Sequence, residues 1–207
     1  MQKRVLENTN ADFIAKSSKN GTNSKNTNSK TLRLIYPQWQ GGDIANLVPE
    51  LNKEDSSLGY YLGAELLEFL APKNVTSKTA KVPISLEYPK SGVRESKNGI
   101  LNYDEIVKQS KAALEILKKY KPDKILTLGG ECSVSVAPFS YLANKYKDDV
   151  AIVWIDAHKD LNLQGDSYEG YHAMALAATF GLIDKEGIAK ILPAHFNPKD
   201  SIIVGLR

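Results

Sequence analysis

Two carboxylates and an imidazole alternate in Asp156-Ala157-His158-Lys159-Asp160. In an extended segment alternate residues share a side, so Asp156, His158 and Asp160 would project together, about 6.6 Å from one to the next. Along a straight strand that spacing is too wide to chelate one ion. Where the chain curls off a sheet, the same groups could serve a pair of ions roughly 3.5–4 Å apart. Oxygen-rich ligands with one imidazole suit a hard divalent ion such as manganese or magnesium, and iron or zinc are also compatible. A purely structural reading is open as well, with Asp156 capping a turn, His158 packing and Asp160 solvated. Position favours metal. The stretch follows the apolar run 150–155, and three ionisable groups at the lip of a buried strand repel one another and lose solvation unless positive charge sits among them.

A second apolar run, 124–128, leads into Gly129-Gly130-Glu131-Cys132-Ser133. The glycines permit a tight turn into a helix and bring Cys132 to the same crevice. A Gly-Gly turn before a helix can cradle a phosphate on backbone donors, but the full dinucleotide fingerprint and the P-loop ending are missing. A lone cysteine also reads as a small core residue. Fourteen residues beyond His158, His172 opens a helical segment. There a neutral imidazole could carry a proton to a leaving amine, or simply cap the helix.

The elements that must position these groups can be read from periodicity. Residues 32–36, 81–86, 124–128, 150–155 and 201–205 read as strands, and 58–70, 104–120, 134–146 and 174–181 as helices. The runs 124–128, 150–155 and 201–205 are apolar enough for strands buried on both faces. From residue 124 the alternation of strand and helix predicts a parallel sheet wrapped by helices through right-handed crossovers. Chemistry then gathers at the carboxyl ends of the strands.

Composition narrows the classes. The chain has 207 residues, 42% hydrophobic and 25% charged, as expected of a globular domain. Residues 17–30 hold no apolar side chain, and residues 1–30 are expected to be a disordered polar tail before a domain over 31–207. Six of the 27 basic residues and two of the 24 acids fall in residues 1–30. From residue 31 onward, 21 bases therefore face 22 acids, without the basic stripe that nucleic-acid binding requires. No apolar run reaches the roughly 18–20 residues of a membrane-spanning helix. The single cysteine, Cys132, excludes an intrachain disulfide framework. With no apolar stretch after the opening basic residues, the expectation is a cytoplasmic protein.

Taken together, Gly129-Gly130-Glu131-Cys132-Ser133, Asp156-Ala157-His158-Lys159-Asp160 and Gly170-Tyr171-His172-Ala173-Met174 resemble, in order and separation, the stations of the arginase/agmatinase (ureohydrolase) family. The likeness extends from about Leu32 to Arg207. It implies a three-layer αβα fold with a mainly parallel, doubly wound sheet, and a centre of two manganese ions (Mn2+). There a metal-bound hydroxide attacks the guanidinium carbon of arginine, agmatine or a related linear amidine. On this resemblance Asp156 bridges the ions, His158 and Asp160 each bind one, and His172 shuttles the proton. Asn162 falls where relatives contact the amino-acid end of the substrate. The family's usual Gly-Gly-Asp-His is altered here to Glu131 and Cys132, and a thiolate suits zinc or iron better than manganese. Two further carboxylates of a later Ser-x-Asp-x-Asp motif are not found by Arg207. The expectation is therefore a C-terminally truncated ureohydrolase-like chain, its last strands missing, with one weakly held ion at most and impaired hydrolysis. A non-catalytic relative that binds a ligand or partner is the alternative. Self-association into a homo-oligomer is also expected, because a sheet lacking strands exposes apolar surface.

Overall fold

A computed structural model describes residues 29–44, 48–72 and 78–207. All but the last two residues of the expected polar tail lie outside the described residues.

Strand β1 (Thr31–Tyr36) is the best-enclosed strand among the described residues, buried from Leu32 onward. It pairs in parallel with β2 (Lys78–Lys81) on one side and β5 (Lys124–Gly129) on the other. Helix α1 (Lys53–Leu70) begins five residues earlier than apolar spacing predicts. The cause is Asn52, whose side chain accepts the Asp55 amide at 2.8 Å and caps the first turn. The expected strand over 81–86 is displaced to Lys78–Lys81. Pro83 has no amide to continue the ladder, and the last backbone bond to β1 comes from the Val82 amide to the Ile35 carbonyl at 2.8 Å.

A small antiparallel ladder, β3 (Ser96–Lys97) with β4 (Ile100–Leu101), precedes α2 (Tyr103–Tyr120). Helix α2 follows the predicted periodicity, and its stripe of Ile106, Ala113 and Leu117 is fully buried. After β5 a 3₁₀ turn (Cys132–Ser135) runs into α3 (Val136–Tyr146), and β6 (Ile152–Ile155) follows. A second 3₁₀ turn (Tyr171–Met174) leads into the short α4 (Ala175–Thr179). Helix α5 (Ile188–Ile191) then precedes β7 (Ser201–Val204), which pairs in parallel with β6.

Two hydrophobic clusters follow from this order. One packs Leu32, Leu34 and Tyr36 of β1 and Val82 against Ala113 and Leu117 of α2 and Ala137 of α3. The other packs Ile152 and Trp154 of β6 against Ile106, Val136, Met174 and Leu176. Helix α1 packs against β1 and β5, which makes three layers in that half.

The parallel α/β architecture is as expected, but burial of the later strands is not. Val153 and Ile155 of β6 are 60% and 79% exposed, and Ile202 and Val204 of β7 are 57% and 45% exposed. The inner face of this pair meets the core, while no described layer covers the outer one. Among the described residues no ladder joins β5 to β6, so the parallel strands stand as a sheet of three and a sheet of two. No described helix is long and apolar enough to cross a membrane.

Candidate metal centre

The crevice is built by turns that leave the carboxyl ends of β5 and β6. At the end of β5 the Gly130 amide donates to the Tyr36 carbonyl, and the Glu131 amide to the Gln38 carbonyl. The backbones approach so closely that a Cβ on Gly130 would collide with the Gln38 carbonyl. Glu131 turns inward and is 4% exposed. Its carboxyl accepts from Gln38 Nε2, the Ser133 amide and Ser133 Oγ, each at 2.7 Å. Burial pushes its pKa up even so. This satisfied network caps the 3₁₀ turn and fixes the position of Cys132. The Gly-Gly pair thus serves a close packing of loops, and the phosphate-cradle reading finds no support in it.

At the end of β6 the Asp156 amide bonds to the Val204 carbonyl at 3.0 Å. Asp156 Oδ1 accepts the His158 amide at 2.8 Å, and Oδ2 lies 3.8 Å from Cys132 Sγ. The chain bends at once, and Asp160 has a φ of 49°, unusual for a residue with a side chain. The Asp160 carbonyl receives the amides of Leu176 and Ala177, at 3.0 and 3.2 Å. Those bonds tie the loop to the start of α4 and turn the residue inward, leaving it 3% exposed.

His172 is brought in by its own amide, which donates to the Gly41 carbonyl at 3.1 Å. Its Nε2 lies 2.7 Å from the Tyr168 hydroxyl, and the two rings meet edge to face. The Gly41-Gly42-Asp43 loop is clamped in turn by the nearly buried Arg94, which reaches the Gly42 carbonyl and Asp43 Oδ1 at 2.5 Å.

One sulfur, one carboxylate oxygen and one ring nitrogen, from Cys132, Asp160 and His172, lie within 4.8 Å of one another. Burial and the neighbouring Asp160, Glu131 and Asp156 push the Cys132 thiol up. Burial raises the Asp160 carboxyl to about 6. It also holds the His172 imidazole below its ordinary value, leaving it neutral at pH 7. Each shift opposes charge, and a cation at the centre of the three would reverse the first two.

Of the residues singled out in the sequence, Cys132, Asp160 and His172 converge, and Asp156 stands beside Cys132. His158 does not join them. Its side chain is 82% exposed, with Nδ1 3.5 Å from Asp156 Oδ1. Asn162 lines a cavity of about 680 Å³ together with Asp160, His172, Tyr60 and Tyr168. Tyr168 and Arg94 escaped the sequence reading. Tyr168 lies in the irregular stretch before the 3₁₀ turn Tyr171–Met174, and nothing local marks either residue.

Parallel strands with helices packed against them and an ionisable crevice at the strand ends define an α/β architecture. The chain belongs to the arginase family, whose model matches residues 69–207. It is 29% identical to an arginase of Entamoeba histolytica over 162 residues, covering 72% of this chain and 53% of that protein. Against an arginase of Bacillus subtilis it is 30% identical over 152 residues, covering 70% and 48%. The chain thus spans about half the length of these curated relatives. The structure of Entamoeba histolytica arginase in complex with L-ornithine superposes with a TM-score of 0.63 at 22% identity, covering 86% of this chain and 58% of that one. Bacillus caldovelox arginase superposes at 0.58 and 19%, with the same coverage.

Proposed function

We propose that the chain carries the metal-dependent site of an arginase/agmatinase-like amidinohydrolase, acting on a carbon–nitrogen bond of a linear amidine such as arginine or agmatine. The observation that supports this most directly is the convergence of Cys132, Asp160 and His172 at the ends of β5 and β6, in a chain of the arginase family. Family resemblance suggests manganese, with Asp156, His158, Asp160 and Cys132 as its ligands. A divalent ion held there would supply activation of water. The donor set fits a cation, since the buried Asp160 Oδ2 has no hydrogen-bond partner. His172, neutral at pH 7, can take up a proton at a ring nitrogen and pass it to a leaving amine, while Tyr168 steadies Nε2. Asn162, on the cavity wall, would meet the far end of the amidine. Cytoplasmic residence and self-association belong to the same reading, the latter supported by the exposed Val153, Ile155, Ile202 and Val204. Sedimentation velocity checks it, with a single monomeric boundary at every concentration as the contrary result.

A second reading, a non-catalytic relative that binds a ligand or partner, is favoured by one observation. His158 is turned to solvent, so a full set for two ions is not assembled. Release of urea from arginine or agmatine by the manganese-loaded chain decides between them. Turnover at ordinary rates supports the hydrolase, and its absence with the ion bound supports the non-catalytic relative.

A further inference from the structure

The fit is good for one ion and poor for two. Asp160 is 3% exposed, and its Oδ2 is buried without a hydrogen-bond partner. The Cys132 thiol and the Trp154 indole both lie near enough to favour the charged carboxylate. Neither closes a hydrogen bond of normal geometry onto that oxygen, and Trp154 Nε1 is itself buried and unpaired. A buried oxygen left this way loses its solvation without compensation. The Cys132 sulfur, an Asp160 carboxylate oxygen and a His172 ring nitrogen lie within 4.8 Å of one another, and a cation among them would be bonded by all three. His158 lines the same cavity but is 82% exposed, and its ring is not among the three donors that lie close together.

We infer that this chain holds a single zinc-class ion on Cys132 Sγ, an Asp160 carboxylate oxygen and a His172 ring nitrogen, with a fourth position open. The inference rests on the metal-dependent reading of the crevice and not on turnover. One sulfur, one nitrogen and one oxygen form a softer set than oxygen-rich manganese sites, and three protein donors plus an open position suit zinc. Loading exchanges the thiol proton for the ion and releases that proton to solvent. Ligation also commits a nitrogen of His172 to the ion, and Tyr168 engages Nε2 at 2.7 Å. In this form the ring is committed to the metal and not to the proton transfer of the hydrolase reading, so the single-ion site accords with the second, non-catalytic reading of the crevice.

The test titrates the chelator-stripped 207-residue chain with Co2+, a spectroscopic stand-in for zinc. One equivalent is expected, with a sulfur-to-cobalt charge-transfer band in the near ultraviolet. Cys132→Ser abolishes the band. Cys132→His restores binding without it, which separates loss of a donor from loss of the fold. His172→Asn weakens binding by more than the roughly 10- to 100-fold that loss of a mere supporting partner costs, whereas His158→Ala leaves the first equivalent in place. Two equivalents of Mn2+ or Co2+, sensitive to His158→Ala and indifferent to His172→Asn, would overturn the single-ion site and leave the metal-dependent reading standing. No binding of either ion overturns both. The sulfur band together with no urea release supports the inference and counts against the hydrolase.

Discussion

Strands β1 and β6 are both mainly apolar, yet their surroundings differ sharply. Leu32, Leu34, Ile35 and Tyr36 of β1 are each no more than 1% exposed, and Arg33 is only 7% exposed, donating from Nη2 to the Pro72 carbonyl at 2.6 Å. In β6 the inner residues Ile152 and Trp154 are 2% and 6% exposed, while Val153 and Ile155 are 60% and 79% exposed. The first strand has a ladder on each side and helices on both faces. The second has one described ladder and one covered face. The difference teaches that the crevice joins a finished half to an open one. Cys132 rides on the finished half through the Glu131 network, whereas Asp156 and Asp160 leave the open half.

The largest effect expected from this contrast is in β1. Leu34 is fully buried, so Leu34→Ala removes its contacts and leaves a cavity at a cost of about 2–5 kcal/mol. Urea unfolding followed by circular dichroism measures it. A cost below about 0.5 kcal/mol, the usual range for surface positions, would show β1 to be no better enclosed than the outer face of β6. Gly130→Ala should rank next. The added carbon collides with the Gln38 carbonyl, which must move along with the Glu131–Ser133 network, and a loss of about 1–3 kcal/mol is expected. A Gly130→Ala chain with unchanged stability would mean that the two loops are not held together.

How far the sequence foretold this depends on which forces act locally. The helix Tyr103–Tyr120 and the strands near 32–36, 124–128, 150–155 and 201–205 were legible because periodicity reports which faces can be buried. Periodicity does not say whether a covering layer follows, which is why both-face burial was expected of strands that keep an open side. That Asp160 and His172 come near Cys132 could be read from residue type and neighbourhood. The separation of His158 from them could not, because the expected curl off the sheet was taken to bring all three groups together. The hydrogen bond from the His158 amide to Asp156 Oδ1 and the φ of 49° at Asp160 break the alternation in 156–160. Such turns are set by the partners of the backbone, here the amides of Leu176 and Ala177, far away in sequence.

A smaller effect sharpens the comparison from the crevice itself. Burial raises the Asp160 carboxyl in the folded chain to about 6 from 3.8. The folded state therefore favours the protonated form. The stability this contributes is fully present below pH 3.8 and is lost as pH rises through about 6. Asp160→Asn imitates the protonated group. The metal-free variant is expected to melt up to a few degrees above the parent at pH 7, with the gap closing toward pH 4. Differential scanning calorimetry in chelator reads both, and a variant that melts lower at pH 7 would show that the carboxylate is already compensated. With an ion bound the order should invert, because the charge is then a ligand.

The smallest effect belongs to the open face. Val153 and Ile202 are register partners in adjacent parallel strands, as are Ile155 and Val204, so the four side chains form one exposed patch. Replacing Val153 and Ile155 by Thr keeps the β-branched shape suited to a strand and removes no buried contact. The change in chain stability should stay within about 0.5 kcal/mol in denaturant titrations at low protein concentration. Association should respond where stability does not, since the patch is the apolar surface that a second copy would bury. Sedimentation at rising concentration is therefore expected to show weaker self-association for the double variant. A loss of 2 kcal/mol or more, the size of a core truncation, would instead mean that the outer side of β6 is covered within the chain, and the contrast with β1 would collapse.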